Sequence, residues 1–388
     1  MYRSAYYEEP LLNELVISKK EKIEVLKSIP KSLQRQKNID IPNLDETQIV
    51  RHFHRLSQMN YGIDSGIYPL GSCTMKYNPK ISEEIASWDK FSGTHPCQDF
   101  TTVQGNLQIM FELEHMLCEI TGMDYFCLQP AAGAHGEFLG LLLSRAYHDH
   151  KGNTERNEVI LPDTAHGTNP ASATMAGYKL IEIPSNKDGT VDLGSLKNTL
   201  SEKTACFMLT NPNTLGIFES DILEISKMVH DSGALLYYDG ANINAIMGKT
   251  RPGDMGFDIV HLNLHKTFAT PHGGGGPGSG PIGVKIKLEK FLPIPRIGKT
   301  TDGQYIFDYD VPDSIGKIKS HYGNFSVLLK AYIYILMMGK DGLKEASEIA
   351  VLNANYMKKK LLDSKKFEMP YKDIRKHEFV LSAEKLKE

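Results

Sequence analysis

The sequence predicts an α/β fold, with a mostly parallel sheet covered by helices on both faces. Three observations carry this prediction. From Asn106 onward, short apolar runs of strand character alternate with longer stretches of helical spacing. Turn and cap residues separate them at the expected points. Small and polar residues gather just past the apolar runs, where this architecture binds its ligands.

The elements follow in chain order. Residues 1–105 carry weak periodicity, with a basic stretch from Lys19 to Lys37 and a Tyr/Gly/Pro-rich segment, YGIDSGIYPLGSCTMKYNP. They read as an arm with short helices. Leu107, Met110, Phe111, Leu113, Met116 and Leu117 give a helix with a broad apolar face. YFCLQP is a short strand ended by proline, and AAGAHGEFLGLLLSRAYHDH is a small-residue turn running into a long helix. EVILP and KLIEIP are strands, with AHGTNPASATMAG between them as a loop and short helix. DLGSLKNTL is helical with Asp192 as N-cap. TACFMLTNPN is a strand and turn. DILEISKMVHDSG is a helix with Gly233 at its C-terminal end, and ALLYYDGAN is a buried strand. The residues just past the strands are Gln129 to Gly136, Asp163 to Asn169, Thr210 to Thr214, Asp239 to Asn244, and His261 to Thr267.

Composition narrows the function classes. The 388 residues are 41% hydrophobic and 23% charged, which is ordinary for a globular chain and unlike a disordered one. A net charge of −3 offers no basic excess for nucleic acid. No apolar stretch approaches the roughly 20 residues of a membrane helix, and the start of the chain has no apolar leader region. The five cysteines are scattered without CxxC spacing, which suits a reducing compartment. A cytoplasmic enzyme is the expectation.

Four features point to chemistry. In DIVHLNLHKTFATPHGGGGPGSGPIGVK, Lys266 follows a strand and precedes a glycine run. A lysine in a desolvated pocket can bond covalently to a carbonyl cofactor, whereas a lysine beside a flexible loop is the plain alternative. Asp239 ends the strand LLYYD; a buried carboxylate there would keep a pyridine nitrogen protonated, though such a residue is commonly a turn cap. Ala131 to Ala134 sit at a helix start, where free N–H groups suit a phosphate, with a tight turn made for packing as the plain alternative. His166, in AHGTNPAS, is a flat group suited to stacking on a cofactor ring, though taken alone such a residue is more often a satisfied surface or core histidine. Together, the four suggest a pyridoxal-phosphate enzyme. Two rivals fail: Leu262 stands where an HExxH zinc site needs glutamate, and the glycine run has neither GxGxxG nor P-loop spacing. The pairs His52 with His54 and His148 with His150 are expected on exposed faces, so no metal site is expected.

The segments PLGSCTMKYNP, LQPAAGAHGE, AHGTNPAS, LTNPNTLGIFE, DGANINAIMGKTRPGDMGFD and HLNLHKTFATPHGGGGPGSGPIGVK closely resemble the glycine cleavage system P-protein, in the second (beta) subunit of its two-subunit form. The resemblance runs from about Val50 onward. It implies the fold-type-I (aspartate-aminotransferase-like) architecture and the cofactor pyridoxal 5'-phosphate. The implied activity is glycine dehydrogenase (aminomethyl-transferring): glycine decarboxylation, with transfer of the aminomethyl group to the lipoyl arm of H-protein. An alpha subunit is the implied partner, in a heterotetramer. Lys266 matches the family's cofactor-linked lysine, Asp239 the partner of the pyridine nitrogen, and His166 the stacking histidine. Ala132, Gly133 and Ala134 match the phosphate site, and Thr210, Asn242 and His265 are implied cofactor neighbours.

The domains expected are the arm and helices over 1–105 and, from the resemblance, a large pyridoxal-phosphate domain over 106–325 and the start of a small C-terminal domain over 326–388. That last domain is expected to be incomplete, since family members continue further. The segment Gly71 to Met75 is expected to crowd the site, and the glycine stretch 273–283, with Gly275 and Gly276 in it, to flex for the lipoyl arm. The residues leave open another fold-type-I lyase or decarboxylase, or a non-catalytic assembly subunit.

Overall fold

The computed structural model describes residues 8–15, 29–37, 44–60, 78–272, 276–371 and 374–386. Gly71 to Met75 and Gly275 lie outside them. The chain forms two compact units, residues 1–69 and 70–388.

In the first unit, helix α1 (Glu46–Ser57) begins at a capping box, with Asp45 accepting from Gln48 N–H. Glu9 accepts from Arg55 Nε at 2.5 Å and Nη2 at 2.6 Å, and meets His52 Nδ1 at 2.8 Å. His52 is therefore buried against an acid and not on an exposed face.

The second unit holds a seven-stranded sheet and its helices. In chain order the elements are α2 (Lys80–Ala86), α3 (Asp89–Ser92), α4 (Gln104–Thr121), β1 (Tyr125–Cys127), α5 (Gly133–His150), β2 (Glu158–Pro162), α6 (Thr168–Met175), β3 (Lys179–Ile183), α7 (Leu193–Thr199), β4 (Thr204–Thr210), α8 (Ile222–Asp231), β5 (Leu235–Gly240), β6 (Ile259–Leu262), α9 (Leu264–Thr267), β7 (Ile282–Val284), β8 (Arg296–Lys299), β9 (Tyr305–Asp308) and α10 (Phe325–Asp363). The spatial order is β1-β7-β6-β5-β4-β2-β3. β2 through β6 pair in parallel, while β7 runs antiparallel to both β6 and β1. β8 and β9 form a separate hairpin. Asp192 caps α7 through Ser195 N–H, and Gly233 ends α8 with φ +81°, both as the sequence predicts.

Alternation along the strands explains why both faces are covered. Phe207, Leu209, Leu236 and Tyr238 enter one core with Leu113 and Leu117 of α4. Cys206, Met208, Leu235 and Tyr237 enter the other with Leu139, Leu141 and Leu143 of α5. Neither side of the sheet faces water, so its strands read as continuous apolar runs. α5 lies very close to the sheet, because a Cβ on Gly140 would overlap the Tyr237 ring. His148, on the same helix, is buried with Nε2 2.9 Å from Ala205 O, again not on an exposed face.

α10 contains a break at Gly339, whose φ of +59° and ψ of −177° interrupt the helix. Among the described residues, no helix is long and apolar enough to cross a membrane.

Candidate active site

The C-terminal ends of the parallel strands bring the candidate residues to one edge. Register pairs Thr210 of β4 with Asp239 of β5, and Asp239 with His261 of β6. Lys266 follows within the single turn of α9 and is 7% exposed. The main chain holds this turn: Lys266 N–H donates to Asn263 O at 3.0 Å, and Leu264 N–H to Ser279 O at 3.1 Å. His265 lies in this same helical turn.

Asp239 is 1% exposed. Its Oδ1 accepts from Ala241 N–H at 3.0 Å, and its Oδ2 from Asn169 Nδ2 at 3.0 Å. His261 Nε2 lies 3.3 Å from Oδ1. Burial alone would raise this carboxyl, but His261, the two N–H donors and His166 outweigh it and hold Asp239 below the ordinary carboxylate range. Asp239 is thus ionised in a buried place.

His166 is half-buried on the loop after β2, and Thr168 N–H donates to its Nδ1 at 3.2 Å. It joins Glu137 and Asp239 in a cluster whose ligand atoms all lie within 4.8 Å of one another. The structure therefore brings His166 to Asp239.

At the other corner, Ala132 is the N-cap of α5 and supplies no side-chain cap to its N–H groups. Ala132 and Ala134 are exposed there, while Gly133 is buried against Asn263. A Cβ at Gly133 would overlap Asn263 Oδ1, and one at Gly280 would overlap Ala132 O. The small residues are thus fixed by close backbone approach. Lys319 Nζ donates to Asn324 Oδ1 at 2.7 Å, and Asn324 Nδ2 donates to Gly278 O at 2.6 Å, placing a cation near this corner.

The remaining candidates divide. Thr210 Oγ1, at the strand end beside Asp239, has no hydrogen-bond partner among the described residues. His265 is driven down to about 4 by burial, and then by His272 and Lys266. Its Nδ1 would stand 3.0 Å from a Cβ on Gly278. Asn242 Oδ1 accepts from Asn244 N–H at 2.9 Å and shapes the loop after β5. That loop is tied to the lysine turn by Ile243 N–H donating to Thr267 Oγ1 at 3.1 Å.

Sequence reasoning missed four members. Glu137 and Asn169 lie inside segments already singled out, QPAAGAHGEFLG and AHGTNPAS. A charged residue among small apolar ones near a helix start was the available signal. His261 opens the stretch His261 to Thr267, but its one chemical reading in the sequence is the failed HExxH zinc pattern with His265. Glu378 is raised to about 7 by burial, against the opposing pull of Lys266. Nothing local in KHEFVLSA marks it as lying within electrostatic reach of that lysine.

Residues 8–309 match the sequence model of the family described as glycine cleavage system P-protein. The chain belongs to this family. A protein of Thermococcus onnurineus called probable glycine dehydrogenase (decarboxylating) subunit 2 is 60% identical over 397 residues, covering 100% of this chain and 79% of that protein. Among solved structures, an inhibitor-bound glycine decarboxylase (P-protein) of the glycine cleavage system aligns with a TM-score of 0.75 at 22% identity, over 92% of this chain and 82% of that one. A cysteine desulfurase from Thermococcus onnurineus aligns with a TM-score of 0.58 at 17% identity, over 80% of this chain and 77% of that one. The P-protein family membership accords with the resemblance read from the sequence. The fold is that of the fold-type-I pyridoxal-phosphate enzymes, as expected.

Proposed function

We propose that this chain is the pyridoxal-phosphate-binding beta subunit of a glycine-decarboxylating P-protein. It would act with an alpha subunit and pass the aminomethyl group to the lipoyl arm of an H-protein. The observation that carries this is a buried, ionised Asp239 on the same sheet edge as a buried Lys266, with His166 beside the carboxylate.

The residues fit the cofactor at three points. Asp239 Oδ would hold a proton on the pyridine nitrogen. The uncapped start of α5, at Ala132, Gly133 and Ala134, and the unpartnered Thr210 hydroxyl would serve its polar substituents. Lys266 Nζ would bond its aldehyde. When bound, the cofactor supplies a carbonyl for amines and a protonated ring that draws electrons from a breaking bond at the α-carbon.

The chain's own residues do the rest. Burial of Asp239, His261 and Lys266 excludes water from the lysine turn. Asn169 and Ala241 hold the Asp239 carboxylate by hydrogen bonds before any ligand arrives, with His261 Nε2 3.3 Å away, so no reorganisation is needed. His166 would contact the ring beside Asp239. Residues 106–325 would form the cofactor domain.

The test combines the chain with its alpha subunit, pyridoxal phosphate and lipoylated H-protein. Exchange of labelled bicarbonate into glycine is expected, and Lys266→Ala should abolish it. Cofactor uptake without exchange, with all partners present, would favour a non-catalytic assembly subunit. Release of a product from another amino acid, but not from glycine, would favour another fold-type-I lyase.

A further inference from the structure

Glu137 is 3% exposed, near the start of α5 and beneath Asp239. Its Oε2 accepts from Ser172 Oγ at 3.0 Å and from Asn169 Nδ2 at 3.2 Å. The same Asn169 Nδ2 donates to Asp239 Oδ2 at 3.0 Å. One amide group thus uses its two N–H bonds on two carboxyl groups. His261 Nε2 lies 3.3 Å from Asp239 Oδ1 and 3.7 Å from Glu137 Oε1, while its Nδ1 meets Tyr237 OH at 3.0 Å. If the tyrosine donates, the ring's single proton sits on Nε2 and faces Asp239, a tautomer assigned from this chain of contacts.

Two buried carboxyl groups this close do not both ionise without a cation bonded between them. His261 is not that cation, since burial drives it down to about 4. The groups facing Glu137 are Asp239 and Tyr237 from β5, His261 from β6, His166 from the loop before α6, and Lys266 from α9. Of the two acids, Asp239 is held by two N–H groups that can only donate, Asn169 Nδ2 and Ala241 N–H, whereas the second partner of Glu137, the Ser172 hydroxyl, can also accept from a protonated carboxyl. The proton therefore belongs to Glu137, and burial followed by the Asp239 charge shifts that group upward.

We infer that Glu137 is a positioning residue: a neutral carboxylic acid that, through the shared Asn169, fixes Asp239 in the ionised form and orientation a pyridine nitrogen requires. This role rests on the cofactor reading above. It also assigns a function to a glutamate that is almost wholly buried.

The experiment compares wild type with Glu137→Gln by infrared difference spectroscopy, before and after loading with pyridoxal phosphate. Wild type at neutral pH should show the C=O stretch of a protonated carboxylic acid that Glu137→Gln lacks. Glu114 and Glu378 are also raised by burial, so the band is assigned by the difference alone. It should fade as pH rises above neutrality. In parallel, Glu137→Gln should bind pyridoxal phosphate within about twofold of wild type, because its amide oxygen still accepts from Asn169 and Ser172. Glu137→Leu should lose about 10- to 100-fold by leaving those donors unpaired. If the leucine variant does not fold, Glu137→Asp takes its place, since its shorter arm cannot reach both donors. Equal losses in Gln and Leu (or Asp) would overturn the assignment. A wild-type chain that takes up no cofactor overturns the functional reading. One that takes it up but shows no Glu137 band overturns only the role of Glu137.

Discussion

Asp239 and Asp258 are both buried carboxylates beside the same pair of strands, and their donors separate a candidate catalytic group from a structural one. Asp258 immediately precedes β6, at the N-terminal end of the strands and away from the C-terminal ends that gather the site. Its Oδ2 accepts from Leu236 N–H at 2.9 Å and meets His230 Nε2 at 2.9 Å, while Lys287 Nζ lies 2.6 Å from Oδ1. Burial pushes this carboxyl up, but His230 and Lys287 hold it below the ordinary range. A carboxyl depressed in the folded state stabilises the fold above its unfolded pKa, and that contribution is lost as pH falls through the folded value. Asp258→Asn should therefore destabilise the chain at neutral pH by about 1–3 kcal/mol. The gap to wild type should begin to narrow at about pH 4, the unfolded carboxylate range, and vanish only as pH falls below the lower folded value. Urea midpoints across pH measure this; a gap independent of pH would contradict it.

At the level of elements, the site depends on how closely α5 approaches the sheet. Gly136 and Gly140 lie on its inner face, where a Cβ would overlap Gly280 O and the Tyr237 ring respectively. That approach brings Glu137 to Asp239 and sets the uncapped helix start against Asn263. Gly140→Ala should lift the helix at a cost of about 1–3 kcal/mol, as overpacking does. It should also weaken cofactor binding, although Gly140 is on the core side, away from the candidate pocket. Unfolding and cofactor titration on one preparation check both; a loss of stability with unchanged binding would mean that the pocket is independent of α5 seating. Other elements were less legible. β7 is three residues long and follows a glycine run, so neither its existence nor its reversed direction shows in the sequence. The β8–β9 hairpin turns through Gly303 at φ +91°, a feature legible only once both strands are seen.

For the whole molecule, the sequence made the parallel core, the lysine turn and Asp239 visible because each is a local pattern: an apolar run followed by a reactive or charged residue. Glu137, Asn169 and His261 stayed hidden as a group because their meeting is nonlocal. It requires the Asp239–His261 register across β5 and β6, and α5 laid across those strands. Glu378 is a further step removed, since its position near Lys266 depends on the chain returning after α10 to pack at Gly216. Family membership supplies the expectation that this edge handles glycine, and the buried Asp239 with Lys266 supplies the physical reason. The most direct test is to load the purified chain with pyridoxal phosphate, reduce it with borohydride and map the labelled peptide by mass. The account predicts one cofactor-derived addition, on Lys266. A label on any other lysine, or none after loading, would contradict it.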